Sequence, residues 1–251
     1  MSTLFSLQGK TALVTGSARG LGQGIALGLA EAGADIVSAS LTDSQETVRQ
    51  AEAYGVKASG IEVDLGDHSK LQAAFDEALK LTGHIDILVN NAGIIRRTPA
   101  KDHSEQDWFD VINLNLNTVF LLSQIAARHM LERGSGKIIN ICSMLSFQGG
   151  INVPGYTASK HGVAGLTKAF ANEWAGSGIN VNAIAPGYMT TDNTAPIRED
   201  AKRADSITER IPAGRWGTSE DVKGPAVFLA SAASDYLNGH ILCVDGGWMG
   251  R

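Results

Sequence analysis

Short apolar segments alternate along the chain with segments whose apolar residues recur at helical spacing. The apolar segments lack a regular apolar/polar alternation, which is typical of strands buried on both faces of a parallel sheet. Strands and helices in alternation predict one domain over residues 1–251, an α/β fold of Rossmann type with a doubly wound, seven-stranded parallel sheet and helices on both faces. The predicted strands are residues 10–15, 34–40, 60–65, 86–93, 137–142, 180–185 and 239–245.

Two segments depart from this regular pattern. Residues 105–133 have the periodicity of one long helix, but Asn113, Asn115 and Asn117 fall in its middle. Amides inside a helix lower its stability, so at least one of them is expected to point into a site or to bond a neighbouring segment. Residues 192–217 are polar and contain two prolines. We therefore predict a mobile excursion over the site at about 190–217.

The composition narrows the functional classes. Of the 251 residues, 43% are hydrophobic and 19% are charged, and the formal net charge is −5. Because no block of lysine and arginine is present, neither nucleic acid nor an anionic membrane is expected as a partner. No apolar run approaches the ~18 residues of a membrane span and no signal-peptide pattern is present, so we expect a cytoplasmic protein. Cys142 and Cys243 lie in apolar segments without metal-site spacing, which predicts buried free thiols and no bound metal.

A glycine-rich turn follows the first predicted strand. Gly16, Gly20 and Gly22 stand just before a segment of helical periodicity. Such a turn lets the backbone approach a phosphate closely, and the free N–H groups at the start of the helix favour an anion there. Glycines alone indicate only a tight turn, but their position after the first strand of an α/β chain predicts a dinucleotide site.

The second predicted strand ends without the acidic residue that often binds the ribose 2′-hydroxyl of NAD. Ser40 and Leu41 stand there instead. Arg19 in the glycine turn is able to bind a 2′-phosphate and Asp43 a hydroxyl, so these residues leave the choice between NAD and NADP open. Asp64, at the end of the third strand, either contacts the adenine or caps the helix predicted from about residue 69.

Tyr156 and Lys160 are four residues apart in a segment of helical periodicity, so both side chains lie on one face. A cation beside a phenol favours the phenolate, which lets the pair exchange a proton near neutral pH. Ser143, at the end of the fifth strand, is able to hold an oxygen atom beside the phenol. This spacing is common by chance, so the rest of the chain decides its meaning.

A further polar group follows the fourth predicted strand. Asn91 and the small residues Ala92 and Gly93 would let a cofactor approach the end of the strand. Arg96 and Arg97 come next, where open α/β sheets place ligands, and a guanidinium binds a carboxylate through two parallel hydrogen bonds. Each arginine is equally well explained as a solvated or subunit-interface residue.

Taken in order, these motifs resemble the short-chain dehydrogenase/reductase family along nearly the whole chain. Each motif is common alone, but all of them in this order are highly specific. A departure from the family pattern is Ser40, which puts strict NAD specificity in doubt. The matching segments are Thr15-Gly-x-x-x-Gly20-x-Gly22, Asp64, Asn90-Asn-Ala-Gly93, Asn115, Ser143, Tyr156-x-x-x-Lys160 and Pro186-Gly187.

The resemblance implies a role for each of these residues. Tyr156 is expected to be the general acid/base, and Lys160 to stabilise its phenolate and bind the nicotinamide ribose. Ser143 is expected to hold the substrate carbonyl, and Asn115 to fix a water in a proton relay. Cofactor contacts are expected from Gly16, Ser17, Arg19, Gly20, Leu21, Gly22, Ser40, Leu41, Asp64, Leu65, Asn91, Ala92, Gly93, Tyr156, Lys160, Pro186, Gly187, Met189 and Thr191.

Segments 90–97, 143–150, 173–174 and 211–217 resemble family members that act on keto-deoxy sugar acids. This likeness implies NAD as the usual cofactor, with NADP not excluded, and a homotetramer. Two alternatives stay open: a reductase of another carbonyl compound, such as a 3-oxoacyl thioester, with NADP, and a non-catalytic dinucleotide-binding sensor. The expected substrate-binding residues are Ser143, Gln148, Tyr156, Arg96 and Arg97.

Overall fold

A parallel sheet of seven strands, in the order β3-β2-β1-β4-β5-β6-β7, forms the centre of the computed structural model, which describes residues 3–251. Every neighbouring pair of strands is parallel. The predicted doubly wound sheet is therefore confirmed. The strands are β1 (Thr11–Thr15), β2 (Asp35–Ser40), β3 (Ala58–Glu62), β4 (Ile87–Asn90), β5 (Gly136–Ile141), β6 (Ile179–Pro186) and β7 (Ile241–Val244).

Helices connect the strands and cover both faces of the sheet. They are α1 (Gly20–Glu31), α2 (Gln45–Glu52), α3 (Leu71–Thr82), α4 (Glu105–Ile112), α5 (Thr118–Arg133), α6 (Pro154–Trp174), α7 (Ala195–Arg198), α8 (Ala201–Arg210) and α9 (Glu220–Ala230). Successive strand residues point to opposite layers: Val14 packs in a core with α1 and α9, and Leu13 in a core with α3, α5 and α6. This burial on both faces explains why the strands lack apolar/polar alternation.

The order of the strands reverses between β1 and β4, which pair with each other although β2 and β3 separate them in sequence. At such a switch point the connections leave in opposite directions, and a crevice opens outside the carboxyl ends of the strands. The residues that follow β1 and β4 meet there, because a methyl group on Gly16 would lie only 2.9 Å from the Cα atom of Ala92. The topology thus brings two predicted cofactor motifs together.

The helix predicted over residues 105–133 is interrupted. Residues Asn113–Asn117 form a π-helical turn between α4 and α5. Asn115 is fully buried in this turn and accepts a hydrogen bond from Ile94. Asn113 and Asn117 instead form a hydrogen bond with each other at the surface (3.0 Å). The expectation that one asparagine bonds a neighbouring segment is confirmed. The single continuous helix is wrong, because the wider turn is what directs the Asn115 side chain inward.

The polar segment after β6 contains α7 and α8. Ile197 and Ile207 from these helices pack with Met144, Ile211 and Trp248 in a small apolar cluster, which we call the α8 cluster, apart from the two large cores. The predicted mobility of residues 190–217 stays a prediction. The segment contains two short helices, which Ile197 and Ile207 anchor in the α8 cluster.

Two further features bear on the sequence predictions. Within residues 3–251, no helix combines the length and the apolar character that crossing a bilayer requires.

Cys142 is buried, and this burial raises the pKa of its thiol. Cys243 is exposed, so its predicted burial is wrong. The reason is that β7 is the edge strand, and its side chains are only partly covered.

Candidate active site

A cleft runs along the carboxyl ends of the strands at the switch point. Its volume is about 320 Å³, which falls within the roughly 300–1,000 Å³ of small-molecule sites. Most of the residues predicted to bind the cofactor line this cleft. They are Gly16, Arg19, Gly20, Leu21, Gly22, Ser40, Leu41, Asp64, Leu65, Asn91, Ala92, Gly93, Tyr156, Lys160 and Thr191.

Ser17, Pro186, Gly187 and Met189 lie outside this lining. The Ser17 side chain is fully buried, with its hydroxyl 2.7 Å from that of Ser38, and Met189 packs in the core beside α9. The side chains of Ser17 and Met189 turn into the protein, and the contact of these two residues with the cofactor stays a prediction. Pro186 and Gly187 pair with β7, and their contact with the cofactor stays a prediction.

The glycine turn has the shape that a diphosphate requires. Gly16 and Gly20 have φ of 63° and 62°, a left-handed conformation that favours glycine. A Cβ atom on Gly22 would collide with the Gly16 carbonyl and the Asn91 amide. Because α1 begins at Gly20, its first N–H groups open toward the cleft. The residues present therefore fit a dinucleotide cofactor at this position.

Thr15 braces the glycine turn against the end of β4. Its hydroxyl accepts hydrogen bonds from the backbone N–H groups of Asn91 (2.9 Å) and Ala92 (3.0 Å) and donates to the Val89 carbonyl (3.1 Å). The Asn91 amide in turn donates to the carbonyl oxygens of Thr15 (2.9 Å) and Gly16 (3.0 Å). These bonds hold the turn in its open shape.

At the end of β2, the residues that line the cleft are Ser40, Leu41 and Thr42, none of which carries a carboxylate. The Ser40 hydroxyl accepts a hydrogen bond from the Ala18 N–H group (3.1 Å) and so fixes the glycine turn. The Asp43 carboxylate accepts a backbone N–H at the start of α2 (2.9 Å). Arg19 lines the cleft and forms an exposed ion pair with Asp192 (3.1 Å). This part of the cleft therefore combines the Arg19 guanidinium with the hydroxyl groups of Ser40 and Thr42.

Asp64 and Leu65 line the cleft at the adenine end of the predicted site. The Asp64 carboxylate accepts a hydrogen bond from the Gly66 N–H group (2.9 Å). The N-terminal cap of the next helical turn is Asp67, whose carboxylate accepts from the Ser69 N–H group (3.2 Å). The alternative that Asp64 caps this helix is therefore wrong.

Asn115 connects the residues after β4 to α6. Its carbonyl oxygen accepts from the Ile94 N–H group (2.8 Å), and its amide donates to the Ile94 carbonyl (2.9 Å) and the Ser159 hydroxyl (3.3 Å). The Ser159 hydroxyl donates to the Tyr156 carbonyl (2.8 Å). The π-helical turn thereby fixes the first turns of α6 relative to the crevice.

Tyr156 and Lys160 both face the cleft from α6, as predicted from their spacing. The Lys160 ammonium lies 5.6 Å from the centre of the Tyr156 ring and donates to the Ile141 carbonyl at the end of β5 (2.6 Å). Lys160 is buried, so its ammonium is held in place by protein groups. A phenol and a fixed cation at one wall of a cleft are suited to proton transfer.

Ser143 begins the short turn Met144–Ser146, which follows β5. The Ser143 hydroxyl oxygen accepts from the Leu145 N–H group (3.2 Å), and its own hydrogen is left for another acceptor. The Ser146 hydroxyl donates to the Lys160 carbonyl (2.8 Å), which ties this turn to α6. Gln148 is half-buried two residues beyond the turn.

The two adjacent arginines have different surroundings. Arg96 forms ion pairs with Asp107 (3.3 Å) and Asp110 (3.6 Å) of α4, so its charge is already neutralised. Arg97 instead donates to the Asn193 carbonyl (2.9 Å) and pairs with no carboxylate in residues 3–251. The structure thus places Arg97, and not Arg96, with a guanidinium available to an anion.

Sequence reasoning missed several residues that line the cleft: Ala18, Thr42, Val63, Ile94, Leu114, Ile141, Asp192 and Asn193. Most of them are ordinary strand-end or helix residues without a sequence signal. Asp192 and Asn193 directly follow Thr191, so their position beside a predicted contact was an available signal. Their importance comes from Arg19 and Arg97, which they contact from across the cleft.

The family model described as short chain dehydrogenase matches residues 10–202. The chain belongs to the short-chain dehydrogenase family. It is therefore an oxidoreductase that depends on NAD or NADP, and the alternative of a non-catalytic sensor is set aside.

Relatives extend the likeness over nearly the whole chain. The 2-dehydro-3-deoxy-D-gluconate 5-dehydrogenase of Bacillus subtilis is 62% identical over 250 residues, which cover 98% of this chain and 97% of that protein. The protein of the same name from Escherichia coli is 58% identical over 248 residues, 98% of each. The structure of a gluconate 5-dehydrogenase from Burkholderia cenocepacia in complex with NADP and tartrate is 44% identical and has a TM-score of 0.94, covering 99% of this chain and 98% of that one.

Proposed function

We propose that this enzyme interconverts a secondary alcohol and a ketone on a keto-deoxy sugar acid of the 2-dehydro-3-deoxy-D-gluconate type. The observation that carries the proposal is the Arg97 guanidinium, which donates to the carbonyl of the cleft-lining Asn193 and has no carboxylate partner in residues 3–251. A guanidinium matches the geometry of a carboxylate. The names of the relatives from Bacillus subtilis and Escherichia coli support the same substrate class.

The proposed chemistry assigns the proton to Tyr156. In the oxidation, its phenolate takes the proton of the substrate hydroxyl, and in the reduction its phenol returns that proton to the carbonyl oxygen. Lys160 holds a positive charge beside the phenol, and the free hydrogen of the Ser143 hydroxyl bonds the substrate oxygen. A bound nicotinamide supplies the hydride donor or acceptor.

Asn115 has a positioning role in this proposal. Its bonds to Ile94 and Ser159 hold the turn of α6 that carries Tyr156. The water relay expected from the family resemblance stays a prediction. Gln148 stays a predicted partner of the substrate hydroxyls.

The test of the proposed function is initial velocity with 2-dehydro-3-deoxy-D-gluconate and its 2,5-diketo partner, in both directions, with NAD(H) and NADP(H) in parallel. We expect turnover that is lost in Tyr156→Phe. A 3-oxoacyl thioester assayed under the same conditions is the comparison substrate. Efficient turnover of the thioester and none of the sugar acid would replace the proposed substrate class with that alternative.

The two arginines provide a matched pair of variants. Arg97→Ala removes the available cation and is expected to raise the Michaelis constant for the sugar acid about tenfold or more, the effect of losing a charged hydrogen bond. Arg96→Ala removes the same charge one residue away, where Asp107 and Asp110 already neutralise it, and is expected to leave that constant within about twofold. Equal effects of the two changes would contradict a substrate role specific to Arg97.

For the cofactor, we propose that NADP(H) is used at least as well as NAD(H). The residues at the end of β2 that line the cleft carry no carboxylate, and Arg19 is an exposed cation in the glycine turn. The NADP bound to the relative from Burkholderia cenocepacia supports this preference. Arg19→Ala is expected to lower kcat/KM for NADP(H) more than for NAD(H); a uniform loss would contradict it.

We also propose a homotetramer located in the cytoplasm. Large apolar side chains are exposed along the helices that follow Arg97, namely Trp108, Phe109 and Phe120, and an exposed apolar patch of this kind favours association. Analytical ultracentrifugation tests the assembly, and a monomer at micromolar concentration would contradict it. Cell fractionation tests the location.

A further inference from the structure

The ion pair between Arg19 and Asp192 joins two distant parts of the chain at the cleft. Arg19 is the last residue before α1, and Asp192 begins the short turn Asp192–Thr194 in the segment at 190–217. The Arg19 Nε atom lies 3.1 Å from a carboxylate oxygen of Asp192, and both residues line the cleft. The pair therefore connects the glycine turn to the segment at 190–217.

Arg19 stands where a dinucleotide-binding fold distinguishes NAD from NADP. The N–H group of Ala18, the residue before it, donates to the Ser40 hydroxyl at the end of β2 (3.1 Å). In such folds the ribose 2′ group of the cofactor is bound near the end of this strand. The cleft lining at that point consists of Ser40, Leu41 and Thr42, which are uncharged. The positive charge that a 2′-phosphate would meet there is that of Arg19.

The Asp192 carboxylate uses only part of the Arg19 guanidinium. The closest pair of atoms involves Nε, and neither Nη group donates a hydrogen bond within residues 3–251. A guanidinium has five N–H donors, and its planar edge matches a phosphate. A phosphate bound to Arg19 would therefore share its positive charge with a carboxylate that is already in contact with it.

The backbone on both sides of Asp192 is held by other side chains. The Thr191 carbonyl accepts a hydrogen bond from the Arg198 guanidinium (3.1 Å), and the Asn193 carbonyl accepts one from the Arg97 guanidinium (2.9 Å). Asp192 itself forms an ion pair with no second cation in the part of the chain that the structure describes. Its carboxylate is thus presented to the glycine turn from an anchored stretch of backbone.

We propose that Asp192 is a specificity-determining residue for the cofactor: its carboxylate competes with the 2′-phosphate of NADP for Arg19. This inference rests on the proposed role of Arg19 in NADP binding and deepens it. A phosphate group carries nearly two negative charges at pH 7 and has to displace Asp192. The 2′-hydroxyl of NAD carries no charge and leaves the pair intact. Asp192 therefore offsets part of the affinity that Arg19 gives to NADP, and it keeps NAD a competitive cofactor.

The test is calorimetric titration of NADP⁺ and of NAD⁺ into the unmodified enzyme and into Asp192→Asn, without substrate. The amide keeps the shape of the side chain and removes its charge. We expect the dissociation constant for NADP⁺ to fall about three- to fivefold, the upper range for an exposed ion pair. The constant for NAD⁺ is expected to stay within twofold. A fall of less than twofold for NADP⁺, or an equal change for both cofactors, would overturn the proposal.

Asp205→Asn is the matched control. Asp205 on α8 belongs to the same segment and is exposed, but it lies outside the cleft lining and forms no ion pair within residues 3–251. This variant removes the same charge and is expected to change both dissociation constants less than twofold. An equal gain in NADP⁺ affinity from Asp205→Asn and Asp192→Asn would show an effect of net charge, and the specific competition would be wrong.

The double variant Arg19→Ala/Asp192→Asn tests whether Asp192 acts through Arg19. If the two groups compete for one guanidinium, removing that guanidinium also removes the effect of Asp192. In the Arg19→Ala background, Asp192→Asn should therefore change the NADP⁺ constant less than twofold. A gain in affinity that persists in this background would show direct repulsion between carboxylate and phosphate, and it would overturn the competition.

Arg19→Ala alone separates this inference from the proposed cofactor use. A loss of NADP⁺ affinity that exceeds the loss for NAD⁺, without an effect of Asp192→Asn, would keep the role of Arg19 and overturn the competition. Equal losses for both cofactors would overturn the role of Arg19 and the inference with it. Because these titrations contain no sugar acid, their outcome is independent of the proposed substrate.

Discussion

The start of α6 and the segment at 190–217 stand on two sides of the same cleft, but different contacts hold them. Around α6, the bonds are buried and interlocked: Asn115 bonds Ile94 and Ser159, and the Ser146 hydroxyl bonds the Lys160 carbonyl. The segment at 190–217, which we call the covering segment, is held by the small α8 cluster and by exposed polar contacts. One of these contacts is the ion pair of Arg19 with Asp192, where each side chain is 77% exposed.

This difference separates two tasks within one active site. Buried polar networks lose much free energy when one partner is removed, so they keep reacting groups in a fixed geometry. Exposed ion pairs contribute little to stability and are easily exchanged for other charges. The side that carries Tyr156 and Lys160 is therefore pre-organised, while the segment at 190–217 is suited to rearrange.

The strongest test of the fixed side is Tyr156→Phe. This change removes one oxygen atom and keeps the ring and the backbone bond from Ser159 to the Tyr156 carbonyl. We expect kcat to fall by about 10²–10⁴, the usual contribution of a general acid/base. The midpoint of thermal unfolding and the affinity for the cofactor should change little. A fall in kcat of less than tenfold would remove Tyr156 from the proton transfer.

The buried network itself is tested by Asn115→Ala. This variant leaves the N–H and carbonyl groups of Ile94 without partners inside the protein. We expect the free energy of unfolding to fall by about 2–3 kcal/mol and kcat to fall at least tenfold, because the first turns of α6 lose their support. Denaturant unfolding measures the change in free energy, and steady-state kinetics measures the change in kcat.

Asn113→Ala is the control for that experiment. Asn113 belongs to the same π-helical turn, but its side chain is exposed and bonds only Asn117 in residues 3–251. A change in unfolding free energy of about 0.5 kcal/mol or less is expected. If both variants behave alike, the turn matters as a helix element and not through the buried side chain of Asn115.

The covering segment is tested by Ile207→Ala. Ile207 is 7% exposed in the α8 cluster, and an Ile→Ala change in a core costs about 2–5 kcal/mol. Because this cluster is separate from the two large cores, we expect the loss to appear as local opening. Amide hydrogen exchange should accelerate in α7 and α8, and the Michaelis constant for the sugar acid should rise, while the global unfolding midpoint moves little. Ile207→Val should give a smaller change in the same direction.

The smallest expected effect concerns the end of the covering segment. Arg215 binds Asp221 at the start of α9 through two bonds of 2.8 and 2.7 Å, and this pairing holds the pKa of Asp221 well below its usual range. A carboxyl group whose pKa is lower in the folded state contributes stability above its unfolded pKa of about 3.9 and loses it as the pH falls. Asp221→Asn should therefore lower the unfolding midpoint slightly at pH 7 and reduce its dependence on pH below about 4. An unchanged acid profile would show that the pair does not contribute.

Much of this molecule follows from local patterns in the sequence. The continuous apolar strands, the glycine turn and the Tyr156/Lys160 spacing each depend on residues close together in the chain. The seven strands and their parallel arrangement were predictable for that reason, whereas most of the cleft lining was expected from the resemblance to a family. A resemblance to a family added roles for Ser143 and Asn115, which no local pattern assigns.

The prediction of one long helix failed because it took no account of side-chain direction. Residues 105–133 have helical periodicity throughout, yet Asn113–Asn117 form a π-helical turn in which the inward-facing Asn115 is hydrogen-bonded to Ile94. Sequence spacing places a residue on an element, whereas packing decides which way a side chain at a motif or turn is directed.

The sequence by itself determined the sheet, the glycine turn and the placement of Tyr156 and Lys160 on one helix face, because periodicity and short-range spacing specify them. Only the tertiary structure distinguished Arg96 from Arg97, since the carboxylates that neutralise Arg96 lie on α4. The availability of a charge is set by partners that are distant in sequence, and those partners become neighbours only when the chain folds.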